Sequence, residues 1–179
     1  MKKILLVLLL ILSCNIFSQE FRLTENNFVN KSESSIDYIV LEFSGKNKDQ
    51  LFTLAKNYIE SQKYNFEKTD YSEKLNENIT FILTSQTGRT IFIDKKKKPN
   101  VWKVVNRFEI NFKDNKIMIR PFFLHLLNAD TKLTTSLGSF FNSRGILRYD
   151  HAASFVESFA NTFVRDLKKG IEENKSNDW

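Results

Sequence analysis

Apolar and polar residues alternate cleanly over Ile36–Phe43, IDYIVLEF, where Ile39, Leu41 and Phe43 share one parity and Tyr38, Val40 and Glu42 the other. A period of two predicts a strand with one face in a core. Gly45 ends it, and Asn47 with Gln50 three residues on forms a capping box. Leu51, Phe52, Leu54, Ala55, Tyr58 and Ile59 then line one side of a helix running to about Gln62. A weak strand is expected near Phe66–Tyr71. In ITFILTSQ, Ile79, Phe81 and Leu83 oppose Thr80, Ile82 and Thr84. Thr87-Gly88 predicts a turn into a short TIFI strand, followed by a DKKKKPN loop.

The longest alternation starts at Val101, with Trp102, Val104, Phe108, Ile110 and Phe112 on one parity and Lys103, Val105, Arg107, Glu109 and Asn111 on the other. Asp114-Asn115 reads as a two-residue hairpin turn of the type I′ class, since both side chains tolerate the left-handed conformation. That turn sets a register: Lys113 opposite Lys116, Phe112 opposite Ile117, Ile110 opposite Ile119, and Glu109 opposite Arg120. The last pair places opposite charges across the ladder. Pro121 has no N–H to donate, so its strand lies at an edge or is bulged there. Residues 128–149 read as loop with a short turn near Phe140-Phe141. Asp150 caps a final helix whose buried stripe is Ala152, Phe155, Val156, Phe159, Ala160, Phe163, Leu167 and Ile171. Residues 20–34, polar with scattered aromatics, have no sustained period and read as an arm.

Strand, helix, antiparallel strands, helix is the order of an α+β domain: two layers, a mostly antiparallel sheet, two helices on one face. The helices are expected over Ile39, Leu41, Phe81, Leu83, Phe108, Ile110, Ile117 and Ile119. The opposite face then carries Tyr38, Val40, Ile82, Val105, Arg107, Met118 and Phe122, too apolar for a surface wholly in water. Those seven residues form the candidate partner or ligand face. The arm, residues 128–149, a second copy or an outside ligand are the candidates to cover it, the two intrachain segments preferred.

The amino terminus changes where this domain is placed. Lys2 and Lys3 precede an unbroken apolar run, Ile4–Leu12, and Ser18 offers a small residue before Gln19, the layout of a secretory signal peptide. The run is shorter than the roughly 20 residues needed to span a bilayer, so no transmembrane helix is expected in the mature chain. Cleavage after Ser18 discards Cys14 and leaves an exported protein, periplasmic or secreted. The alternative is Ile11-Leu12-Ser13-Cys14 as a lipobox, with Cys14 anchoring a lipoprotein. The apolar Asn15-Ile16-Phe17-Ser18 continuation favours the first. The division is then signal peptide 1–18, arm 19–34, one domain 35–173 and a frayed tail 174–179. About 160 mature residues suffice for a packed core without disulfides. Loss of two lysines lowers the formal charge from +6 to +4. An excess that small suits acidic envelope surfaces and gives no reason to expect nucleic acid.

YIVLEFSGKNKDQLFTLAKNYIE, followed by VVNRFEINFKDNKIMIR, resembles the bacterial exported family called domain of unknown function 4468, described as TBP-like in fold. The resemblance covers about residues 36–127. TGRTIFIDKKKKPN is longer than the family pattern, which leaves the number of central strands open. The resemblance implies the fold and brings no catalytic residue, and a fold shared with TBP does not imply DNA binding.

The chemistry-bearing residues fit a binding role. There is no Gly-rich phosphate loop, no G-x-S-x-G elbow and no H-E-x-x-H helix in the sequence. His125 has no second ligand at metal spacing, His151 falls in the first turn of a helix, and no acidic pair can be assigned. No catalytic, cofactor-binding or metal-binding residue is therefore named. Lys95–Lys98 read as a solvated loop tip, with an acidic headgroup or polysaccharide as the functional alternative. The expectation is an exported, non-enzymatic binding or interaction module of the envelope. Its partners would be a second copy, an envelope protein or a small apolar ligand. The alternatives are a hydrolase of envelope material using His125, or a carrier of lipid or another apolar molecule.

Overall fold

The computed structural model describes residues 19–62, 66–91 and 100–173. The signal segment with Cys14, the Lys95–Lys98 loop, the end of the TIFI strand and the tail from residue 174 lie outside them. In chain order the elements are β1 (Phe21–Thr24), β2 (Asn27–Asn30), β3 (Ile39–Glu42), α1 (Lys48–Ser61), β4 (Phe66–Lys74), β5 (Asn78–Ser85), β6 (Arg89–Ile91), β7 (Asn100–Lys113), β8 (Lys116–Asn128), β9 (Thr134–Thr135), a short 3-10 turn (Leu137–Ser139) and α2 (Asp150–Glu173). β3, β8, β7, β5 and β4 lie side by side in that order, with β6 beside β7 and β9 beside β8, every pairing antiparallel. The fold is the expected α+β one, an antiparallel sheet with two helices.

Both helices cover the face the alternation selects. Ile39, Leu41, Phe81, Leu83, Phe108, Ile110, Ile117 and Ile119 are all buried there, in one core with the apolar stripes of α1 and α2. Phe163 of α2 lies 4.4 Å from Phe108 and 5.7 Å from Phe81 between ring centres, and Phe52 of α1 meets Phe112 edge to face at 5.3 Å. Removing each such side chain from water contributes about 1.5–3 kcal/mol. The Asn47–Gln50 capping box is present, with side chain to backbone bonds in both directions at 2.9 Å. At α2 the cap differs from expectation: Asp150 is already helical, in the first turn, and the Tyr149 carbonyl accepts from the amides of Ala152 and Ala153.

The β7–β8 register is the one predicted, Glu109 opposite Arg120 included. The turn is not type I′, because Asn115 has φ +63° while Asp114 is not left-handed. Contacts with the loop before α1 decide it. Asp114 Oδ1 accepts from Lys48 N, Asn115 Oδ1 accepts from Gly45 N, and the Asn115 amide and carbonyl bond Lys46 and Phe43. Pro121 follows the last β3 pairing, Ile39 with Ile119, so its missing N–H falls where β8 has become an edge.

The arm is not an appendage. Residues 21–30 form a hairpin that buries Phe21, Leu23 and Phe28 in the core. Four-residue strands are too short to show a period, and their free backbone groups are met by α2. Phe21 N donates to Asn161 Oδ1 at 2.7 Å, and Leu23 N to Glu157 Oε1 at 2.8 Å. Asn27, at φ +98°, uses its amide as a missing strand would: Nδ2 donates to Phe123 O and Oδ1 accepts from Phe123 N. Those bonds sit at the bulge where the β7–β8 register shifts between Val105 and Asn106. Of residues 128–149, Thr134–Thr135 adds β9 to the sheet beside β8, and Phe140 is fully buried on the helix side, 5.4 Å from Phe123. The buried aromatics of both segments thus go to the helix side, while Gln19, Asn30, Ser32, Glu33 and Ile36 of the arm border a groove with Tyr38 and Val40 at one edge of the open face.

Candidate functional site

On the sheet face away from the helices, strand order and register bring the predicted residues together. Crossing the sheet, Val40 pairs Met118 and Met118 pairs Asn111. Ile82 pairs Arg107 and Arg107 pairs Phe122. Tyr38, Val40, Ile82, Met118 and Phe122 are half-buried and Arg107 is exposed. Val105 is buried without joining the helix-side core, shielded by its neighbours on the same face.

The charges on this face fall into two sets. Arg120 Nε donates to Asp37 Oδ1 at 2.9 Å, and its Nη1 lies 3.8 Å from Glu109 Oε2. Glu109 Oε1 also accepts from Asn111 Nδ2, Asn111 Oδ1 accepts from Asn78 Nδ2, and Asn78 Oδ1 accepts from Thr80 Oγ1. In this half each charge has a partner within the chain, though Glu109 Oε2 meets Arg120 only at 3.8 Å. Two residues along β7, the Arg107 guanidinium rests 4.6 Å from the centre of the Phe122 ring, and no carboxylate meets it among the described residues. A cation held over an aromatic ring keeps its full charge for a partner, at little cost in side-chain freedom.

The outer strands offer less to bind. Along β3 and the residue before it, Val40 N donates to Gln19 Oε1 and Tyr38 O accepts from Asn30 Nδ2, so side-chain amides occupy part of that edge. β4 carries Glu67, Lys68, Asp70, Glu73 and Lys74, and a register shift between Thr69 and Ser72, with Asp70 at φ +47°. Charge and a bulge are the usual guards against pairing with another chain.

His125 lies opposite Val105, half-buried at the rim of the open face. Burial lowers its proton affinity and nothing nearby raises it. Among the described residues no carboxylate bonds its ring. His151 is in the first turn of α2, its ring edge-on to Tyr149. No group of three or more His, Cys, Asp or Glu gathers among the described residues. No helix among them is long and apolar enough to cross a membrane. Across the molecule, a cleft of about 380 Å³ runs between the end of α1 and β4–β5, floored by Ile59, Leu83 and Phe163 and rimmed by Glu60, Glu67 and Lys68.

Asn106 escapes the alternation. It faces the core from β7, fully buried, and among the described residues neither its Nδ2 nor its Oδ1 has a hydrogen-bond partner, nor has Trp102 Nε1. The signal was present in the sequence: residue 106 shares the parity of Trp102, Val104 and Phe108 and is the polar one among them.

No protein-family model matches the chain, and no curated protein matches it. Among solved structures it is similar to a DUF4468 family protein from Bacteroides ovatus ATCC 8483, with a TM-score of 0.48, 10% identity, and 79% of this chain and 86% of that chain covered. It is also similar to a TBP-like protein from Parabacteroides distasonis ATCC 8503, with a TM-score of 0.46, 9% identity, and 75% of this chain and 90% of that chain covered. The chain thus resembles the family expected from its central hairpin, as a distant structural likeness. The chemistry of the site rests on its own residues.

Proposed function

We propose that this chain is an exported binding module of the bacterial envelope that engages its partner through the open sheet face and catalyses no reaction. The observation that carries this reading is the unneutralised Arg107 set between half-exposed Ile82 and Phe122, with half-exposed Met118 further along the same face. A solvated antiparallel face is normally polar, and apolar side chains gathered on one face mark an interaction surface. Export rests on Lys2-Lys3, the Ile4–Leu12 run and Ser18. The hydrolase alternative finds no carboxylate acting on His125 among the described residues. The carrier alternative would use the helix-side cleft, whose volume is within the range of small-ligand sites.

Arginine-directed labelling tests the reading. Arg107 is expected to react readily in dilute purified protein and to be protected several-fold in the intact envelope. Arg165, exposed on α2, serves as the reference and reacts equally in both. Equal labelling of Arg107 in the two settings would sink the proposal.

A further inference from the structure

The open face carries its own complement. Along β7, Arg107 and Glu109 stand on the same face two residues apart, one without a carboxylate and the other at the end of the Asp37–Arg120–Glu109 series. A two-fold axis in the plane between two stacked sheets, crossing β7 at Phe108, maps each strand onto its own copy and reverses its direction. Arg107 then faces Glu109 of the second copy, and Glu109 faces the second copy's Arg107. Phe122, one strand over in the Arg107 row, faces the second copy's Arg120, and Ile82 faces Thr80. One operation supplies both ion pairs, as an isologous interface requires. It extends the charge series to minus, plus, minus, plus.

From this self-complementarity, and resting on the reading of the open face as a binding surface, we infer that the partner is a second copy of this chain, packed sheet to sheet. Sheets stacked this way cross at about 30°, so the central rows meet and the Lys103 and Lys113 corners splay apart. Four strands at ~4.8 Å spacing and four rows along them offer on the order of 500 Å² per copy. The total, about 1,000 Å², lies at the lower limit of specific interfaces. The dimer is accordingly weak, with dissociation in the micromolar range, and forms where the protein is concentrated. The half-buried state of the apolar residues agrees with this, since a permanent interface would be more apolar.

Sedimentation of the protein recovered from the envelope fraction tests the inference. Wild type is expected to show reversible dimers at tens to hundreds of micromolar (~10⁻⁵–10⁻⁴ M). Arg107→Glu and Glu109→Arg each weaken association at least about tenfold, because each sets like charges against each other across the axis. The double exchange restores it, since both ion pairs re-form with their signs reversed. Circular dichroism is expected to show the variants folded, since Arg107→Glu changes an exposed side chain whose intrachain contact is the Phe122 ring. A wild type that stays monomeric overturns the dimer; if Arg107 is still protected in the envelope, a different partner occupies the face and the binding-module reading survives. Loss in both single variants without recovery in the double exchange also overturns the symmetric pairing, because the two residues then act without facing each other across the axis.

Discussion

His125 shows what one half-buried side chain does at this face. Burial lowers its proton affinity below the ordinary value of 6.5, so the folded protein prefers the neutral ring more strongly than the unfolded chain does. Its contribution is complete above about pH 6.5 and is lost as pH falls through the folded value. Between about pH 7 and pH 5 the melting temperature of wild type should therefore drop further than that of His125→Gln; parallel curves would show that the ring is as well solvated folded as unfolded. Asn106 makes the complementary case in the core. An unpartnered buried amide costs about 1–3 kcal/mol per group, and the bulge beside it, held by Asn27, marks where β7 and β8 depart from a regular ladder.

The helices were legible because fourteen and twenty-four residues give the three-and-four spacing room to repeat, and because Asn47 and Gln50 satisfy each other locally. How closely they approach was not legible. Gly170 of α2 lies against Tyr58 of α1, and a Cβ there would come within 2.3 Å of the Tyr58 ring. The ring is buried and its hydroxyl is raised to about 12, by burial first and by Asp166 second, so it has little room to retreat. Gly170→Ala should destabilise by about 1–3 kcal/mol in a denaturant titration, the clash outweighing the ~1 kcal/mol gain in helix propensity. An unchanged or raised midpoint would mean that the two helices can separate. The Asp114-Asn115 hairpin gives the same lesson on a smaller scale: cross-strand pairing was readable, while the turn geometry was set by bonds to Gly45, Lys46 and Lys48.

At the scale of the whole molecule the amino-terminal hairpin belongs to the cooperative unit. Phe28 is buried and Phe21 is nearly inaccessible, in the same core as Phe108 and Phe163, with their rings edge to face at 5.9 Å. Phe28→Ala is expected to lower global stability by about 3–5 kcal/mol in a single unfolding transition. An early, separate transition would restore the picture of a detachable arm. With this hairpin and Phe140 packed on the helix side and the arm bordering Tyr38 and Val40, the row of Ile82, Arg107 and Phe122 is the part of the other face proposed to meet a partner.

The sequence alone determined each strand and helix long enough to repeat its period, the sheet face that packs against the helices, and the β7–β8 register. Each follows from neighbours within a few residues or across one short turn. The tertiary structure decided the rest: the fate of residues 20–34, the shape of the central turn, the strand order that gathers Ile82, Arg107 and Phe122, and the burial of Asn106. Those depend on groups far apart in the chain, Asn161 on Phe21, Asn27 on Phe123, Asp114 on Lys48. A polar side chain in a short segment reads the same whether water or a distant backbone amide becomes its partner.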